Sequence, residues 1–166
     1  SQDSGRDCYY VPQQLVAGHF AQDSGEEVLI LDDSGYAHYF QWSQSGLDEM
    51  WITDSPVAKG KVRDADAGDI NSDGSDEAII RMSDGKVNVV GPTPTGFGAL
   101  CAKCVADIPK GIRIIAIATS RNPASGREEV FALAKNNGEI LLLRLTWGKH
   151  SFELRESVSL SGADVP

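Results

Sequence analysis

The 166-residue chain is poor in the residues that most site chemistry uses: three cysteines, three histidines and two methionines. Cys8, Cys101 and Cys104 are too few for a disulfide framework, and a zinc site would need a second cysteine pair. Cys101 and Cys104 lie in GALCAKCVADI, which reads as extended. Residues three apart in a strand face opposite sides, about 10 Å apart, beyond the roughly 7 Å that a disulfide spans. Either the strand breaks there and the two bond each other, or Cys8 bonds one of them and a thiol is left over. Nothing after C-A-K-C reads as the helix that a redox motif caps, so structural cysteines are expected.

Positive charge is also scarce. Fifteen Lys and Arg face 24 Asp and Glu, a net charge of -9. That balance argues against nucleic acid or an anionic membrane as partner and suits a protein that holds cations. The longest apolar runs are short, such as IIAIA at 114–118, far below the roughly 18–20 residues of a membrane helix, so no membrane span is expected. No basic-plus-apolar leader opens the sequence, and the expectation is that any secretion signal was removed or never existed. Catalytic signatures are missing: there is no G-x-S-x-G, no H-E-x-x-H and no phosphate loop. His19, His38 and His150 are scattered. The G-F-G at 96–98 sits in GPTPTGFG and reads as part of a turn. The chain is read as not an enzyme.

What is present is a pattern that recurs. VAGHFAQDSGEEVLILDDSGYAHYF (16–40), DAGDINSDGSDEAIIRMSDGKVNVV (66–90) and IAIATSRNPASGREEVFALAKNNGEILLL (115–143) align. Each has an apolar stretch, a polar loop, an acidic residue opening a second apolar stretch, a turn ending in Gly and a third apolar stretch. The acidic anchors are Glu27, Glu77 and Glu129, spaced 50 and 52 residues apart. EVLIL, EAIIR and EVFAL have strand length and strand composition. DSG, SDG and NNG supply the positive φ of hairpin turns. About four short antiparallel strands per unit follow, near 14–19, 27–32, 36–41 and 49–54 in the first. The fold expected is all-β, of β-propeller type, with three four-stranded antiparallel blades at about 13–56, 61–109 and 112–160. Residues 1–12 read as an N-terminal tail or edge strand, with CYYV at 8–11 able to add to a neighbouring blade, and 161–166 as a C-terminal tail.

The second unit holds D-I-N-S-D-G-S-D-E at 69–77, with oxygen-bearing side chains at alternate positions. Calcium takes six to eight oxygens at about 2.4 Å, and a tight loop bent at a glycine aims alternate side chains at one point. Asp69, Asn71, Asp73 and Glu77 would give side-chain oxygens and Ser75 its backbone carbonyl. Asp76, out of phase, should face solvent. An EF-hand needs its bidentate glutamate at position twelve and helical flanks. Here position twelve is Ile80 and the flanks are strands. GDINSDGSDEAII followed by SDGKVNVV resembles the FG-GAP/VCBS repeat of calcium-binding β-propellers, as in integrin α-subunit heads, whose loop reads D-x-[DN]-x-D-G-x-x-[DE]. The likeness spans about 13–160. The first unit keeps the frame with only Asp23 and Glu27, having His19 and Ala21 in place of the first two ligands. The third, TSRNPASGREE, keeps almost none.

The resemblance implies a calcium ion on the second loop and a non-catalytic binding or adhesion module, secreted, periplasmic or at the cell surface, that contacts a protein or a glycan. Three units fall below the four to eight of a typical propeller. Self-association into a six-bladed ring, membership of a longer propeller, or an open array capped by its tails are the alternatives. The rival functions are a structural unit that completes such a ring and a carbohydrate-binding accessory domain of an enzyme. For the last, Trp42, Trp51 and Trp147 are candidate stacking residues, with Trp51 in MWIT expected to pack between blades.

Overall fold

The computed structural model describes residues 10–21, 25–94, 96–102 and 110–160. Among these there is no helix, and none long and apolar enough to cross a membrane. Twelve strands form three four-stranded antiparallel sheets, each a meander of consecutive strands. The first holds β1 (Pro12–Gly18), β2 (Glu27–Asp32), β3 (Ala37–Ser43) and β4 (Gly46–Ile52). The second holds β5 (Val62–Gly68), β6 (Glu77–Met82), β7 (Val87–Thr93) and β8 (Gly96–Ala102). The third holds β9 (Arg113–Arg121), β10 (Glu128–Asn136), β11 (Glu139–Trp147) and β12 (Phe152–Ser159). The strand-poor turns do what their composition dictates. Gly35, Gly85 and Gly138 close the central hairpins at φ of 90°, 81° and 88°, a region that side chains other than Asn and Asp rarely enter. Asp32 Oδ1 accepts from the N–H groups of Ser34 and Tyr36, and Asp84 Oδ1 from that of Lys86.

The sheets pack face to face in chain order, β1 against β5 and β5 against β9. Alternation along each strand decides which core a residue joins. Leu29, Leu31 and Tyr39 of the first sheet pack with Ala78, Ile80, Met82 and Val90 of the second. Ile79, Val87 and Val89, from the opposite face of the second sheet, pack with Val130, Ala132, Ala134, Leu143 and Leu145 of the third. The face of a sheet that looks toward the next one in sequence is here its forward face, the other its rear face. β6 therefore feeds two cores, which explains the unbroken apolar run Ala78–Ile79–Ile80 where a one-sided strand would alternate. Each fully buried Leu or Ile contributes on the order of 2 kcal/mol.

The two joints share one device. A Cβ at Gly18 would stand 2.9 Å from the Ala67 Cβ and 2.9 Å from Asp76 Oδ2. A Cβ at Gly68 would meet the Glu128 carboxylate and, at 3.4 Å, the Thr119 Cβ. Glycine at the end of the first strand lets the neighbouring first strand approach closely. Side chains then bridge the remaining gap. Asp66 Oδ2 accepts from the backbone N–H of Thr119 at 2.7 Å and from its hydroxyl at 3.0 Å, while Gln13 Oε1 accepts from the Val62 N–H at 2.9 Å.

Three expectations change. Strand β1 runs 12–18 rather than 14–19, paired with β2 from Pro12–Asp32 to Gly18–Glu27, and β4 runs 46–52 rather than 49–54, because the third turn of the sheet is the tight S-Q-S-G, where Ser43 pairs with Gly46. Glycine and proline in 91–98 do not make that stretch a loop: Gly91–Thr93 ends β7, and G-F-G opens β8, with Pro92 opposite Phe97. Val11 stays with its own sheet, its carbonyl accepting from the Asp33 N–H at 2.9 Å, so in its described part the CYYV segment adds to no neighbour. Cys8 and Cys104 lie outside the described residues, and Cys101 is half-buried in β8.

Candidate metal centre

Gly68 and Glu77 face each other across β5 and β6, so the loop 69–76 must reverse direction between two paired residues. It does so with Ser72 at φ 63° and Gly74 at φ 92°. The side chains named from the sequence organise it. Asp69 accepts through Oδ1 from the Asp73 N–H at 3.0 Å and through Oδ2 from the Gly74 N–H at 3.0 Å. Asn71 Oδ1 accepts from the same Asp73 N–H at 2.9 Å. Asp73 Oδ1 accepts from the N–H of Ser75 at 2.9 Å. The Asn71 amide donates to Asp73 Oδ2 at 3.1 Å and to Glu77 Oε1 at 2.9 Å, joining the two carboxylates. Glu77 Oε2 accepts from the Ile70 N–H at 3.1 Å.

Glu77 is fully buried. Burial pushes its carboxyl up to about 8, and the charges of Asp73 and Asp69 push the same way, only partly offset by the amide of Ile70. Gly91 on β7 makes room for it: a Cβ there would lie 2.8 Å from Glu77 Cγ. Ser75 is buried, and its amide is held by Asp73 as described. Asp76 departs from expectation. It is half-buried and clamps the first sheet, accepting through Oδ2 from the His19 N–H at 2.8 Å while its own N–H donates to the His19 carbonyl at 2.6 Å. Neither Asp76 nor Gly91 is marked by the loop motif. The signal for Asp76 was its repeat position, shared with Glu128 beside Gly68.

The other two anchors reach different ends. Glu27 is fully buried and accepts through Oε2 from the N–H groups of Phe20 (2.7 Å) and Ala21 (3.3 Å), while its buried Oε1 has no partner among the described residues. Ala21 stands where the second loop has Asn71. Asp23 lies outside the described residues. Glu129 is bonded by Arg144 Nε at 2.7 Å and by the Asn122 amide at 2.9 Å, and Arg144 holds its carboxyl below the ordinary range.

Among the described residues, no three Asp, Glu, His or Cys side chains are gathered closely enough to hold a metal as they stand. The donor set of the second loop nevertheless suits a hard cation. It is all oxygen: Asp73 and the buried Glu77 share the Asn71 amide, Asp69 is held by the Asp73 and Gly74 N–H groups, and each bonded carboxylate oxygen keeps a lone pair.

A cleft of about 540 Å³ opens beside this loop between the first and second sheets, with Asp73 and Asp54 at its rim. Its aromatic wall is spent largely on itself: Trp51 stacks on Tyr39 at 4.6 Å and meets Phe97 at 5.0 Å. Trp51 thus packs between sheets, as its place in MWIT implied. Trp147 packs on Phe152. Trp42 is 66% exposed. Of the histidines, His38 is buried against Asp32 at 2.7 Å, and His19 and His150 are exposed.

No protein-family profile matches the chain, and no curated protein matches it.

Proposed function

We propose that the second loop is a calcium site and that the chain is a non-catalytic, calcium-stabilised binding module of β-propeller type, acting outside the cytoplasm on a protein or glycan. The observation that carries this reading is Glu77: a carboxylate sealed in the fold beside Asp69 and Asp73, pushed up to about 8. Gathering three acids in one loop costs repulsion and desolvation. A bound divalent cation would reverse that cost, with Asp69, Asn71, Asp73 and Glu77 supplying side-chain oxygens and Ser75 its carbonyl. When bound, calcium supplies charge neutralisation and a rigid bend. The protein's own groups do the rest: the Asp73 and Gly74 amides hold Asp69 in place, the Asn71 amide spaces Asp73 from Glu77, and Gly91 admits the glutamate. Because Asp76 belongs to the same loop and clamps His19, ordering the loop also fixes the joint between the first two sheets. Millimolar extracellular calcium matches the affinity range of exposed loops of this kind.

Thermal melting in chelator and in calcium tests the site. At calcium about 100-fold above Kd, the native state gains about 2.7 kcal/mol, which for a chain of this length is a rise in Tm of roughly 5–10 °C. An unchanged Tm at millimolar calcium would remove the proposal.

A further inference from the structure

Of the nine large apolar side chains that are well exposed among the described residues, seven are in strands of the first and third sheets, Val11 and Leu160 directly flank those sheets, and none is in the second. Two of the outer faces are the ones that the internal joints would use next. On the rear face of the first sheet, Val28, Ile30 and Phe40 hold the register positions that Ala78, Ile80 and Val90 hold in the second. There the equivalent residues are buried; here they are half-buried, with Leu15 beside Ile30 and 59% exposed. On the forward face of the third sheet, Phe131 and Leu133 continue from Glu129 as Ile79 continues from Glu77. They are half-buried beside Leu142 and its partner Val158, which is 43% exposed.

From this we infer that the forward face of the third sheet docks on the rear face of the first sheet of a second copy of the chain, so that two copies make two such joints. The inference goes beyond the calcium reading and does not depend on it. The occupant is set by the molecule's own joints: the only surface shaped for a forward face is a rear face, and the two free ones are on opposite ends of one chain. Charge is compatible. Across the internal joint Asp76 bonds the backbone of His19. At the corresponding positions of the joint between copies stand Glu26 and Arg121, oppositely charged and both exposed, with Arg121 3.8 Å from Glu128 of its own chain. Six sheets fall within the four to eight that close a propeller, whereas three do not, and a two-fold pair is the commonest closed assembly.

One residue makes this joint weaker than the internal ones. Where Gly18 and Gly68 admit the neighbouring first strand, the third sheet has Ser120, paired with Glu129 as those glycines are paired with Glu27 and Glu77. A Cβ at that point keeps the strands apart. The pair of copies therefore dissociates where the sheets of one chain do not.

Light scattering or sedimentation of the chain, in chelator and in calcium, reads the mass against the 17.8 kDa of one copy. Twice that mass is expected in both buffers, and the melting shift scores the calcium site separately. Leu15→Glu and Val158→Glu change exposed positions, so the fold survives, and each alone weakens the dimer roughly tenfold. Mixed together, the two variants recover association, because one of the two joints then carries neither substitution. Ser120→Gly tightens the dimer. A strict monomer, a dimer indifferent to both substitutions, or a dimer broken by only one of them and not restored by mixing would overturn the inference.

Discussion

The loops at 19–27 and 69–77 start from the same frame and end in different electrostatic states. Both close on a fully buried glutamate that accepts backbone N–H bonds from residues six or seven positions earlier. In the second loop an asparagine at position 71 bonds the far oxygen of Glu77 and links it to Asp73. In the first, with alanine at position 21, the far oxygen of Glu27 has no partner among the described residues. The third anchor solves the same problem with a cation of its own, Arg144. A buried acid at this point of the sheet is therefore a fixed architectural demand, and what neutralises it is free to vary: backbone amides alone, a charged side chain, or, as proposed, a metal. The lesson is that the acidic anchor reports the fold, while the residues two to eight positions before it report the ligand.

The largest effect expected from this contrast is a pH dependence of stability in chelator. Glu77 has its folded pKa raised to about 8 from an ordinary 4.5. Between those values the native state binds more protons than the unfolded one. Its contribution is thus fully present below about pH 4.5 and is lost as pH rises toward about 8, a loss of ~3 kcal/mol after discounting for solvent screening. Denaturant titrations across that window should show the slope, and Glu77→Gln should flatten it while abolishing the response to calcium. A slope that survives in Glu77→Gln would assign it to another group.

Degrading the second loop to the state of the first comes next. Asn71→Ala removes the amide that serves Asp73 and Glu77, and should cost about 1–2 kcal/mol in chelator, since it leaves the buried Glu77 Oε1 without its donor. Urea midpoints with and without calcium measure both this cost and the shrinking of the calcium shift. The reverse change is the smallest. Ala21→Asn offers Glu27 Oε1 the donor that it lacks and should stabilise the chain by about 1 kcal/mol or less. A loss of stability there would show that the first loop has no room to imitate the second.

Much of the fold was legible because strand composition, turn glycines and spacing agreed with one another. E-V-L-I-L, D-S-G and the 50-residue spacing each pointed to a short antiparallel hairpin, and β2 lies at 27–32 as expected. Local chemistry misled where tertiary demand outweighed it. G-P-T-P-T-G-F-G looks like punctuation, yet Gly91 and Phe97 lie in the paired strands β7 and β8, where Glu77 occupies the space of the missing Gly91 side chain and Phe97 packs on Trp51. The candidate loop residues were named from the alternation of oxygen-bearing side chains together with the likeness to a known calcium-loop repeat. Asp76 was misplaced because alternation within a loop says nothing about the sheet next door, and its partner is a backbone amide 57 positions away. Arg144 as the mate of Glu129 was equally invisible, since the pair meets only when β11 lies beside β10.

Strand β6 sends Ala78, Ile80 and Met82 to one side and Ile79 to the other. No outer sheet can peel away without baring half of this strand, and baring half of it removes the support of the opposite sheet. Heat or denaturant should therefore dismantle the described structure in one step, with a single calorimetric peak, even though its hydrophobic contacts form two separate clusters.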